Sequence, residues 1–200
     1  CFHKMRFPIF PLNGAILFPG TNLPLNIFEE RYIQMVDYSL TKNRMIGMIQ
    51  KKENKKIFNI GCLGKITNFT ETEDGRYQIN LKGLSRFCLK KIIKNNYKFI
   101  TIDGDILETS NNVEDRENIK KRLLSSFSKF LKIKKIDFNT SEFKGLEPSS
   151  LAKIICVISP LDYLIKQMLL EFDNDDDLCK NLLGVLEIEM QNSEKNLKIN

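Results

Sequence analysis

The chain has 200 residues, 42% of them hydrophobic and 28% charged, and a formal net charge of +6. That balance is ordinary for a globular protein and excludes the disordered class. Apolar runs such as Ile154–Ile158 fall far short of the ~20 residues needed to span a bilayer, and no basic segment followed by an apolar stretch opens the chain, so neither a membrane span nor a secretory signal is expected.

The first half reads as short strands. Arg6–Phe10 has the composition of a strand ending at Pro11; prolines 8, 11, 19 and 24 each lack the N–H a central strand needs, so an edge strand followed by irregular loops is expected here. The segment Glu29–Leu40 places Ile33, Val36 and Leu40 on one side of a short helix, with Glu29 and Glu30 complementing the positive end of its dipole. Met45–Gln50, Ile60–Thr70, Tyr77–Lys82, Phe87–Ile93 and Phe99–Leu107 are further strand-length runs. Asp74-Gly75 between two of them is a hairpin signal, because glycine takes the positive φ that the turn needs. Gly61 and Gly64 read as marks of a strand bend. About six strands and one helix within some hundred residues predict a small β-barrel or pseudo-barrel.

Near residue 108 the pattern changes. Glu108–Asp115 is polar and reads as a linker, after which apolar residues recur at helical spacing. Asp115–Ile133 carries a stripe of Ile119, Leu123, Leu124, Phe127, Phe130 and Leu131. Pro148–Ile158 follows, with Leu151, Ile154, Ile155 and Ile158 on one side and Pro148 in the first turn. Ser159-Pro160 reads as the cap and start of a helix through Leu161–Phe172, and Asp175, Asp176 and Asp177 as capping charges for a last helix striped by Cys179, Leu182, Leu183, Leu186 and Met190. The expected organisation is a barrel over residues 1–108 and a helical bundle over residues 109–200, an α+β chain that is mainly β in its N-terminal half.

The sequence carries few of the residue patterns that catalysis needs. His3 is the only histidine, and a nucleophile–histidine pair would have to be built on the chain terminus, where order is expected to be poor. No Gly-x-Ser-x-Gly elbow is present, and Gly61–Thr67 has the wrong glycine spacing for a phosphate-binding loop, with Ile66 where a hydroxyl is required. The cysteines at 1, 62, 88, 156 and 179 form no Cys-x-x-Cys pair, so no metal site is expected and a reducing cytoplasm is the compartment inferred. No catalytic residue, cofactor or metal is assigned. Lysine clusters at 51/52/55/56, 90/91/94/98, 120/121 with Arg122, and 132/134/135 suit either nucleic acid or plain solvated surface, and solvated surface is the reading preferred because lysine lacks the phosphate-matching fork of arginine.

One resemblance is specific. Phe7–Gly20 (FPIFPLNGAILFPG), then Leu23–Tyr32 (LPLNIFEERY) with Met35 and Val36, closely resembles the opening of the Lon N-terminal domain family, which is also found in stand-alone bacterial proteins. Glu30 stands where the family usually has proline. Ile60–Ile66, Asp74–Arg76, Gly83–Phe87 and Lys166–Glu171 continue the likeness, so that it covers almost the whole chain. The resemblance implies a PUA-like β pseudo-barrel followed by a helical bundle, and a substrate-recognition role separate from the ATPase and Ser-Lys protease domains of full-length Lon proteases. Neither of those follows within this sequence, so the expectation is a stand-alone, non-catalytic cytoplasmic module. Its partner is a protein or an unfolded polypeptide, with RNA binding as the alternative and the oligomeric state open. Phe18, Leu23, Leu25, Phe28 and Tyr32, on the proline-rich loop and the adjoining helix start, are the candidate contact residues. For Phe28 and Tyr32 the reading preferred is that they pin the loop to the barrel, with surface contact as the alternative.

Overall fold

The structure is a computed structural model and describes residues 3–199. Two compact units divide it: the chain up to Thr109 together with Asp162–Glu171, and Ser110–Leu161 together with Phe172 onward.

The first unit is built on six strands: β1 (His3–Pro11), β2 (Asn22–Ile27), β3 (Met45–Ile49), β4 (Ile60–Glu71), β5 (Tyr77–Ile93) and β6 (Ile100–Leu107). They pair in the order β2-β5-β4-β3-β1-β6, and an additional β5–β6 pairing closes the last five into a ring. Closure is possible because β5 is 17 residues long: Tyr77–Lys82 pairs with β2, while Arg86–Ile93 pairs with β6. Two strand runs separated in the sequence pattern are therefore one strand, with register shifts in its ladders to β4 and β6 that let it turn the corner. Phe7, Ile9, Ile49, Leu63, Phe87 and Ile102 fill the interior, and the Phe7 and Phe87 rings meet edge to face at 4.9 Å. Glycine is needed where strands crowd: a Cβ on Gly61 would lie 2.4 Å from the Met48 carbonyl oxygen.

Strand β1 is not an edge. It pairs antiparallel with β6 over His3–Ile9 and parallel with β3 over Ile9–Pro11. The prolines are tolerated by stagger. The Leu12 N–H donates to the Ile49 carbonyl at 3.0 Å, so by alternation Pro8 faces the β3 side before that ladder begins, and Pro11 faces the β6 side after that one has ended. His3, expected on a poorly ordered terminus, lies within this strand opposite Ile106. The proline-rich segment expected to be a loop contains β2, an edge strand with Pro24 in it.

Helix α1 (Glu30–Leu40) starts after Glu29, and its buried face is Tyr32, Met35, Val36 and Ser39 rather than the expected Ile33, Val36 and Leu40. The Asp74-Gly75 hairpin is as expected: Gly75 has φ +82°, and the Gly75 N–H donates to the Thr72 carbonyl at 2.9 Å.

Helix α4 (Tyr163–Leu170) belongs to this same unit and not with the other helices. It is capped by the Asp162 carboxylate, which accepts from the Leu164 N–H at 2.8 Å, instead of by Ser159. Gln167, 2% exposed, donates to the Ile60 carbonyl at 3.0 Å and accepts from the Gln50 amide at 3.1 Å. Arg86, 3% exposed, donates to the Glu171 carbonyl and to the Thr109 hydroxyl, both at 3.2 Å. Both side chains come from motifs that carried the family likeness, and their work is to seat α4.

The second unit consists of α2 (Arg116–Ile133), α3 (Pro148–Ile158) and α5 (Asp175–Ile199), with a short 3-10 turn at Thr140–Phe143. The apolar stripe of α2 is buried at Ile119, Leu123, Phe127, Phe130 and Leu131. On α3 the buried side is Leu151, Ala152, Ile155 and Cys156, leaving Ile158 41% exposed. The polar segment expected to be a linker is anchored: Val113 is buried, and the Asp175 N–H donates to the Ser110 carbonyl at 2.9 Å. Asn174 caps α5 by accepting from the Asp177 N–H at 2.8 Å. Asp175, 1% exposed, forms a 2.8 Å ion pair with Lys153 on α3 and so does more than neutralise a helix end.

Candidate functional site

The candidate contact residues fall into two groups. Phe18 is 1% exposed and is a core residue: it sits on a segment whose backbone lies against β5, where a Cβ on Gly83 would come 2.1 Å from the Phe18 carbonyl oxygen. The turn is closed by Thr21, whose hydroxyl donates to that same carbonyl at 2.8 Å. Tyr32 is 6% exposed and packs on the Phe10 ring at 4.1 Å, so it pins α1 to the strand beneath, and burial raises its phenol pKa above the usual value. Neither side chain is a surface contact in this conformation.

The other three differ. Leu23 and Leu25 are half-buried and share one face of β2, two residues apart. Phe28, at the exit of β2 and two residues before α1, is 67% exposed. An aromatic ring that open is not pinning a loop. It stands at the end of an edge strand from which Pro24 removes one N–H donor, so strand addition along that edge is impeded while side-chain contact is not.

A recess of about 130 Å³ lies past the start of α1. Tyr32, Ile57 and Phe99 contribute apolar walls, and Arg31, Lys51, Lys55 and Lys98 bring positive charge from three separate segments of the chain. Arg31 lies over the Tyr32 ring at 4.6 Å and pairs with Glu29 at 2.8 Å, while Lys98 pairs with Glu30. Nothing in residue order signals this meeting. Lys51, Lys55 and Lys98 were visible only as members of lysine clusters, and the pairing of β1 with β3 and β6 is what gathers them.

Other chemistry is sparse. Among the described residues, no group of three or more His, Cys, Asp and Glu side chains is placed to hold a metal ion, and no helix is long and apolar enough to cross a membrane. Among the described residues, Cys62, Cys88, Cys156 and Cys179 form no disulfide. Burial, aided by Asp175 and Asp176, pushes the Cys179 thiol up to about 12, which keeps it protonated and a poor nucleophile.

Comparison with known proteins agrees with this architecture. Residues 6–187 match the family model described as the ATP-dependent protease La (LON) substrate-binding domain. Lon protease of Buchnera aphidicola subsp. Schizaphis graminum is 26% identical over 94% of this chain, and Lon protease of Escherichia coli strain K12 is 24% identical over 94%. In both cases the chain spans about a quarter of the relative's length, 25%. Among solved structures, the Lon N-terminal domain protein from Xanthomonas campestris superposes with a TM-score of 0.70 at 19% identity, covering 90% of this chain and 98% of its own. The N-terminal domain of Mycobacterium avium complex Lon protease gives 0.72 at 16% identity, covering 92% and 98%.

Proposed function

The chain belongs to the Lon substrate-binding domain family, and we propose that it holds segments of unfolded polypeptide by their apolar side chains, as a recognition module or adaptor for proteolysis carried out by other domains or proteins. The observation that carries this reading is Phe28: a ring 67% exposed, on the same short stretch as half-buried Leu23 and Leu25. Apolar area of this kind gains when a second apolar surface displaces its water, at roughly 25 cal/mol per Å², and an unfolded chain supplies such surface wherever its apolar residues cluster. That none of the cysteines among the described residues is disulfide-bonded supports a reducing compartment, and a cytoplasmic location is part of this proposal.

Titration of fluorescein-labelled denatured casein against the purified chain tests the function. Saturable binding that weakens in Phe28→Ser is expected; no saturation up to high micromolar concentration would falsify the reading.

A further inference from the structure

The recess beside α1 is neither cofactor-sized nor neutral. Its volume of about 130 Å³ is well below the roughly 300–1,000 Å³ of small-molecule pockets, yet it is room enough for one side chain. Of its four cations, Arg31 and Lys98 are engaged by Glu29 and Glu30, whereas Lys51 and Lys55 make no ion pair among the described residues. The recess therefore keeps two uncompensated positive charges above a floor of buried aromatic rings.

The main chain that carries these two lysines is held in a tight turn. Lys51 and Ile57 form a bridge across a tight turn, the Lys52 N–H donates to the Lys56 carbonyl at 2.6 Å, and the Lys55 N–H donates to the Lys52 carbonyl at 3.1 Å. The Asn13 side chain accepts from the Lys51 N–H at 2.9 Å, tying the turn to the end of β1. Lys55 has φ +66°, a left-handed conformation that glycine or asparagine adopts more easily, so the turn carries a lysine where a smaller residue would be less strained. Lys52 leaves in another direction, 5.1 Å over the Phe58 ring, and is not part of the recess. The floor is equally fixed: Tyr32 is wedged against Phe10, and Phe99 stacks on Tyr97 with centroids 4.9 Å apart.

We infer that this recess is a subsite for a carboxylate-bearing residue of an apolar polypeptide segment, so that the chain prefers acidic–apolar stretches over neutral ones. The inference rests on the polypeptide-binding reading above and narrows its substrate class. Charge complementarity selects the occupant: lysines present point charges that suit a carboxylate, without the planar fork by which arginine matches phosphate, and the apolar walls take the stem of the same or the neighbouring side chain.

The test uses the full chain and two fluorescein-labelled decapeptides that share their Leu and Phe residues and differ only in Asp against Asn. The Asp peptide is expected to bind roughly fivefold tighter at low salt, the factor that two exposed ion pairs supply. The advantage should shrink as ionic strength approaches ~0.5 M. Lys51→Gln with Lys55→Gln should abolish the advantage and leave the urea midpoint unchanged. Equal affinities for the two peptides, or an advantage that survives in the double variant, overturn the inference while polypeptide binding stands. Failure of both peptides and of denatured casein to bind overturns both readings together. Tighter binding of a ten-nucleotide single-stranded RNA than of the Asp peptide, lost in the double variant, also overturns it and assigns the recess to phosphate.

Discussion

Phe18 and Phe28 are ten positions apart in one proline-rich stretch, and the chain uses them in opposite ways. Phe18 is enclosed because its backbone is pressed against Gly83 of β5, and Ile16 and Leu17 beside it are buried as well. Phe28 stands clear because the chain has just left β2 and is about to enter α1, whose first buried side chain is Tyr32. Residue type is the same at both positions. What differs is whether a strand distant in sequence arrives to cover the ring, so hydrophobicity by itself does not separate a contact surface from a core.

The largest effect expected of any substitution is at the enclosed end of that contrast. Gly83→Val puts side-chain atoms into the Phe18 carbonyl and should leave little folded protein by circular dichroism, and Phe18→Ala should cost about 3–5 kcal/mol by urea unfolding, the usual range for deleting a buried ring. Phe28→Ala should stay within about 0.5 kcal/mol of the parent in the same assay; a cost above roughly 1.5 kcal/mol would erase the distinction between the two rings.

Lysines permit the same comparison. Removing Asp175 by Asp175→Asn strands the largely buried Lys153 ammonium, at a cost of about 3 kcal/mol in urea unfolding, whereas Lys55→Ala on the barrel turn should leave the unfolding midpoint near that of the parent.

A subtler difference concerns the alkaline limb of the pH–stability profile. Cys179 has its thiol pKa raised in the folded state, from about 9 to about 12, so the stability linked to its protonation is complete below pH 9 and is lost as the pH rises towards 12. Cys179→Ser should flatten that limb in a pH series of thermal melts; an unchanged slope would show that other groups set it. On binding, Phe28→Ala should weaken capture of denatured casein by a few-fold, about 1 kcal/mol, without changing stability.

Several elements are legible in residue order alone. The Asp74-Gly75 hairpin, the α2 stripe and the start of α3 at Pro148 follow from local chemistry, because turn φ values and 3.6-residue spacing are properties of short segments. The motifs around Gly83–Phe87 and Lys166–Glu171 were readable as family signatures, but not what they do, since Arg86 and Gln167 act on partners 85 and 107 residues away. The face of α1 was misread by about one position because Tyr32 turns inward to meet Phe10. Of the candidate surface, Phe28 remained open and Phe18 and Tyr32 did not.

The sequence by itself determined the mixed α+β class, the change of regime near residue 108 and the family, because periodicity and motif spacing are written in the chain. Tertiary structure alone decided that β1 is interior, that α4 seats on the barrel, and that Lys51, Lys55, Arg31 and Lys98 share one recess. Each of those outcomes depends on strand pairing or side-chain hydrogen bonds between segments far apart in sequence, and neither the staggered ladders of β1 nor the double partnership of β5 leaves a local trace in residue order.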